Sequence, residues 1–170
     1  MKSNDHFITP CTRVAALIIF ITASFSSITA NAQNELVPLQ EYMETNSKAM
    51  NDPPTFQYVL MRCSATYYAM STLFKNDVRA ERVEVQETLK QKGETFFGLA
   101  LRFQLVIDKD QTPNSPNSGL ERVKKDTLTL TKIYTERIKD ASLRLGDFWK
   151  DKVVKGDYDK CEQLNSTAVK

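Results

Sequence analysis

The sequence predicts an all-α protein, an antiparallel helical bundle of about four main helices plus a short C-terminal helix. Three observations carry that prediction. Apolar residues recur at steps of three and four over long stretches, and no stretch of useful length alternates with a period of two. Breaks rich in Pro, Asn, Asp, Ser and Gly then divide the periodic stretches into helix-sized pieces, which pack most simply side by side. The 170 residues, 41% hydrophobic and 26% charged, have globular proportions that exclude collagen-like, low-complexity and wholly disordered chains.

Residues 1–32 read as a cleaved secretory signal peptide. Lys2 and Arg13 flank a polar start, residues 14–28 form an uncharged apolar run, and Ala30-Asn31-Ala32 gives the small-x-small cleavage pattern. Cleavage is expected after Ala32, with Gln33 as the new first residue. The apolar run is shorter than the roughly 20 residues of a spanning helix and turns rich in Ser and Thr, so no membrane span is expected after cleavage. Cys11 precedes the apolar run, the wrong side for a lipoprotein cysteine. Residues 33–170 are then a single helical domain, exported to a periplasm or secreted.

Within that domain, residues 36–50 carry Leu36, Leu39, Tyr42, Met43 and Met50 at helical steps, with Pro38 tolerable in a first turn. Asn51-Asp52-Pro53-Pro54 breaks the chain and starts a second helix, residues 55–75, that is apolar on most faces and therefore central. A third helix, residues 78–108, has the seam Leu89, Gly93, Phe96, Ala100, Phe103 and Ile107, behind a polar beginning. Residues 110–119 form the clearest loop. Ser118 and Glu121 have capping-box spacing for a fourth helix, whose stripe runs from Leu120 through Val123, Thr127, Leu130, Tyr134, Ile138, Ala141 and Leu145 to Phe148. Gly156-Asp157 is expected to end the next segment and cap a last helix over residues 158–164.

Loss of residues 1–32 removes Cys11 and leaves the pair Cys63 and Cys161. In an oxidising compartment such a pair is most simply a structural disulfide. It would close a loop of 98 positions, worth about 4 to 5 kcal/mol in the chain-entropy model. Cys63 lies in the apolar stripe and has no nearby Cys-x-x-Cys partner, unlike a catalytic thiol.

The chemistry still available is narrow. His6, the single histidine, leaves with the signal, which excludes Ser-His-Asp and Cys-His catalysis and the histidine-containing zinc and di-iron sites. No nucleotide-binding glycine loop is present, and no metal or cofactor is expected. Glu81, Glu84, Glu87 and Glu94 could in principle supply a hydrolytic carboxylate pair, but they sit among Lys and Arg as a solvated helix face does. Met43, Met50, Met61 and Met70 read as core filler rather than a copper(I) site. A net charge of +2 is too balanced to imply a nucleic acid.

The sharpest feature is a pair of arginines in apolar surroundings, Arg62 and Arg102. Pointed into one cleft with Tyr67 or Tyr68, their forks could hold a small anionic ligand inside the bundle; the ordinary behaviour of such arginines is to reach the surface along the apolar stem or to pair with an acidic residue. Residues 121–155, with ten basic against six acidic side chains, read first as a solubilising helix face, because acids are interspersed among the bases; the other reading is attraction to an anionic membrane surface or an acidic protein. The leading functional expectation is a small exported binding or protein-interaction module without catalytic machinery. An anion carrier stands second, and a carboxylate-based hydrolase is a distant third.

Overall fold

Five α-helices account for nearly all of the described chain: α1 (Leu39–Thr45), α2 (Pro53–Ser71), α3 (Ala80–Asp110), α4 (Pro116–Leu145) and α5 (Lys152–Ala168). The computed structural model describes residues 36–48, 50–110 and 116–168, and these contain no strand. The expected signal segment, with His6, Cys11 and the cleavage residues Ala30, Ala32 and Gln33, lies outside the described residues. All five helices belong to one compact unit, Glu35–Lys170.

Helix α2 is the axis of the bundle, because a helix without a polar face has nowhere else to go. Almost every residue from Gln57 to Ser71 is buried. Its start is fixed by Asp52, whose carboxylate accepts the Thr55 N–H at 3.0 Å, with Pro53 and Pro54 filling positions where a missing N–H costs nothing. Helix α3 returns antiparallel to it: Gln57 meets Ala100 and Gln104, and Ser64 donates to the Gly93 carbonyl at 2.9 Å. Helix α4 is antiparallel to α3, with Arg122 against Gln104 and Lys124 to Thr131 alongside Phe97. None of the described helices is long and apolar enough to cross a membrane.

Four expectations about the elements need correction. The first helix is only seven residues long, because from Asn46 onward the chain turns away toward the Asn51-Asp52-Pro53 break. The fourth starts at Pro116, so Ser118 and Glu121 lie inside it rather than forming its capping box. It stops at Leu145, where Gly146 takes a left-handed φ of 71°, a conformation that favours glycine, and Phe148 falls on a separate 3-10 turn. The last helix is 17 residues, not seven. Its first turn is capped by Asp151, whose Oδ1 accepts from Val153 and Val154, and Gly156 passes through its middle against Pro38. The α3 seam also differs in one residue. Gln104 is fully buried where Phe103 was expected, and Phe103 packs edge-on to Phe56 at 5.1 Å.

Candidate functional site

The two arginines do not meet. On α2, Gln57 and Ser64 mark the face toward α3, whereas Arg62 projects to the other side, toward α4 and α5. There it is 1% exposed and wholly engaged within the chain. Its Nε donates to Tyr134 Oη at 3.0 Å and Asp157 Oδ2 at 2.9 Å, and its Nη2 donates to Asp157 Oδ2 at 2.5 Å and the Val37 carbonyl at 2.7 Å. Asp157 Oδ1 accepts the Leu39 N–H at 2.7 Å, and the Tyr134 hydroxyl also donates to Oδ2. The rings of Tyr42 and Tyr58 flank the guanidinium at 5.9 and 5.8 Å.

This hub has the electrostatics of a structural pair. Burial pushes the Asp157 carboxyl up, while Arg62, Tyr134 and the Leu39 N–H pull against it. Burial also drives the Tyr134 hydroxyl far above its ordinary range, so it remains a proton donor. Burial alone would lower the Arg62 guanidinium, but Tyr134 and Asp157 hold it above its ordinary value. The Nε and Nη2 donors of Arg62 are spent on partners in the same chain, and its carboxylate partner is buried with it, so this edge of the fork is not presented to a ligand.

Arg102 lies exposed on the outer face of α3, in a shallow depression with Glu94 and Gly98. Tyr67 and Tyr68, about 100° apart around α2, also go different ways. Tyr67 is buried, stacked on Phe96 at 5.8 Å, and donates to Glu162 Oε1 at 2.8 Å, which Lys92 reaches at 2.6 Å. Tyr68 lines a groove between the bundle helices. The expected anion cleft is therefore not formed by these four residues. The cysteines do come together: Cys63 and Cys161, both fully buried, stand at disulfide distance with Sγ atoms 2.04 Å apart.

A second polar cluster, unforeseen from sequence, is centred on Gln104. Its Oε1 accepts from Gln57 at 3.0 Å and Arg122 at 3.1 Å, and its Nε2 donates to Asp108 at 2.7 Å. Gly119 packs directly on it, since a Cβ there would stand 2.7 Å from both Gln104 Nε2 and Asp108 Oδ2. A glutamine at a seam position among Phe and Ala was the available signal, because a buried amide needs partners.

A mostly apolar groove of about 380 Å³ opens beside Tyr68, lined by Tyr68, Phe97, Lys124, Thr127, Leu128 and Thr131. Leu128 is 63% exposed in its wall. Thr127 Oγ1 has no hydrogen-bond partner but is itself buried beneath the surface, so the accessible lining is almost entirely carbon apart from Lys124 and the hydroxyls at the rim. Among the described residues no group of His, Cys, Asp and Glu is placed to hold a metal ion. Glu81, Glu84, Glu87 and Glu94 are exposed along α3, and Glu87 faces Lys90 at 3.8 Å. Compared with protein-family models, curated proteins and solved structures, the chain matches none. Among the described residues, the groove beside Tyr68 offers apolar surface, and Glu81, Glu84, Glu87 and Glu94 lie exposed along α3.

Proposed function

We propose that this chain is an exported protein-interaction module without catalytic machinery, and that its contact surface is the groove between α3 and α4. The observation that carries the reading is the contrast within the polar groups: Arg62, Asp157 and Tyr134 are consumed by one another, whereas Leu128 and Phe97 are left beside an open apolar groove. Contiguous apolar surface, rather than a single exposed side chain, marks a partner-binding site, and Leu128 here continues the apolar lining given by Tyr68 and Phe97. Helix α4, which supplies most of the lining, carries more basic than acidic residues, Lys124, Lys125 and Lys132 among them. The occupant this fits is an acidic amphipathic segment of a protein partner, its apolar stripe in the groove and its carboxylates toward α4.

Export is part of the same proposal. Two buried cysteines at disulfide distance belong with an oxidising compartment, and residues 1–32 have the charge, apolar run and small-residue pattern of a secretory signal. A mature protein beginning at Gln33, with the Cys63 and Cys161 peptides joined in a non-reducing map, is the expected result; another N-terminus or two free thiols would count against it.

The contact surface is tested by NMR titration with a synthetic acidic helix bearing a leucine stripe. Salt-sensitive shifts at Phe97, Thr127, Leu128 and Thr131, lost in Leu128→Lys, are expected. Shifts elsewhere or none would overturn the assignment, and a small molecule released from the native protein on denaturation would favour the carrier.

A further inference from the structure

We infer that the outer face of α3 is a surface for a second copy of this chain, with two α3 helices crossing antiparallel at Gly98. The starting point is a glycine that the subunit itself does not need. Helix α3 has two glycines, and one is explained by packing: a Cβ on Gly93 would press to 3.1 Å of the Tyr68 ring. Gly98 is different, because a Cβ there would meet nothing within 4 Å. Glycine is among the least favourable residues for a helix interior, so its place here asks for a close approach from outside.

The charges around Gly98 say what approaches. Glu94 precedes it by four residues and Arg102 follows it by four; both are exposed, and neither has an ion-pair partner among the described residues. Eight residues of helix separate them by about 12 Å, too far to pair with each other. An antiparallel copy centred on Gly98 reverses the order, setting its Arg102 opposite Glu94 and its Glu94 opposite Arg102. The face is thus self-complementary under a two-fold axis, as a closed homodimer requires. The same axis sets Gln91 opposite Leu105, which is 49% exposed in the subunit and would be covered by the glutamine stem. The missing side chain at Gly98 lets the two backbones approach at the crossing point. The groove beside Tyr68 lies on a neighbouring face, so this surface is independent of the one proposed for a partner.

Sedimentation velocity on the full chain purified from exporting cells tests the proposal across micromolar to millimolar concentration. A dimer that weakens with added salt is expected. Glu94→Arg or Arg102→Glu alone sets like charges opposite each other and should raise the dissociation constant by at least about tenfold. The double reversal, Glu94→Arg with Arg102→Glu, restores opposite charges and should restore the dimer. Gly98→Leu keeps both charges, has open space for its side chain in the subunit, and should leave a folded monomer by circular dichroism. A chain that stays monomeric throughout, a dimer indifferent to the single reversals or to Gly98→Leu, or a double reversal that fails to recover it would overturn the inference.

Discussion

The two flanks of α2 are built to opposite specifications. On the α5 flank, Arg62, Asp157, Tyr134 and the cysteine pair are sealed from water, and both Asp157 oxygens accept hydrogen bonds, Oδ2 from Arg62 and Tyr134 and Oδ1 from the Leu39 N–H. On the α3–α4 flank, Gln104 and Asp108 share a looser cluster, Thr127 Oγ1 is unmatched, and Leu128 stands in solvent. The first flank closes the fold, and the second, one helix diameter away, keeps an apolar groove open. That division can be attacked from either side.

The heaviest blow falls on the closed flank. Asp157→Ala leaves a guanidinium buried with no countercharge and should cost roughly 3 to 5 kcal/mol in urea unfolding. A loss below about 1 kcal/mol would mean that water reaches Arg62 and that the flank is not sealed. Replacing Cys63 and Cys161 together by Ser should cost about 2 to 4 kcal/mol, since the unfolded chain regains the freedom of a long loop. An unchanged midpoint would show the pair is not bonded.

On the open flank the expected effects are smaller. Gly119→Ala pushes a methyl into Gln104 and Asp108, and should cost about 1 to 3 kcal/mol, reduced by the better helix propensity of alanine. A gain in stability would mean the Gln104 cluster rearranges freely.

The smallest effect is a matter of pH. Partial burial pushes the Glu162 carboxyl up, but hydrogen bonds from Lys92 and Tyr67 outweigh it and hold the group below its ordinary value. Its contribution is therefore present above the ordinary glutamate range and disappears as pH falls through the lower value in the folded protein. Glu162→Gln should cost less than about 1 kcal/mol at pH 7, because the pair is partly exposed. The difference between the two proteins should shrink on acidification; a constant difference would remove Glu162 from the acid response.

Much of the bundle was legible in the sequence because periodicity and burial are the same information read twice. Val59, Cys63, Tyr67, Phe96, Ala100, Val123, Tyr134 and Ile138 were all placed inside by their spacing, and all are inside. The cysteine pairing followed from setting aside Cys11 with the expected signal segment, which leaves Cys63 and Cys161. The arginine site was misplaced, because spacing along one helix does not say which neighbour each face will meet. A clue was nonetheless present: Asp157 stands one turn before Cys161, and Arg62 adjoins Cys63, so joining the cysteines brings the carboxylate to the guanidinium. Gly156-Asp157 looked like a helix stop on composition, and the interior needed that aspartate more than the helix minded the glycine. The groove was not legible at all, since it is made by what three helices leave uncovered.

The hub around Arg62 also fixes an order of events. It ties residues 37 and 39 to residue 157, across 118 positions between Leu39 and its carboxylate partner. Contacts of such long reach form late and make folding slow, because the intervening chain must first be brought together. Until residue 157 has been synthesised, Arg62 has no countercharge and the α5 flank has no lid. A chain with this wiring stays unlocked for as long as α5 is missing.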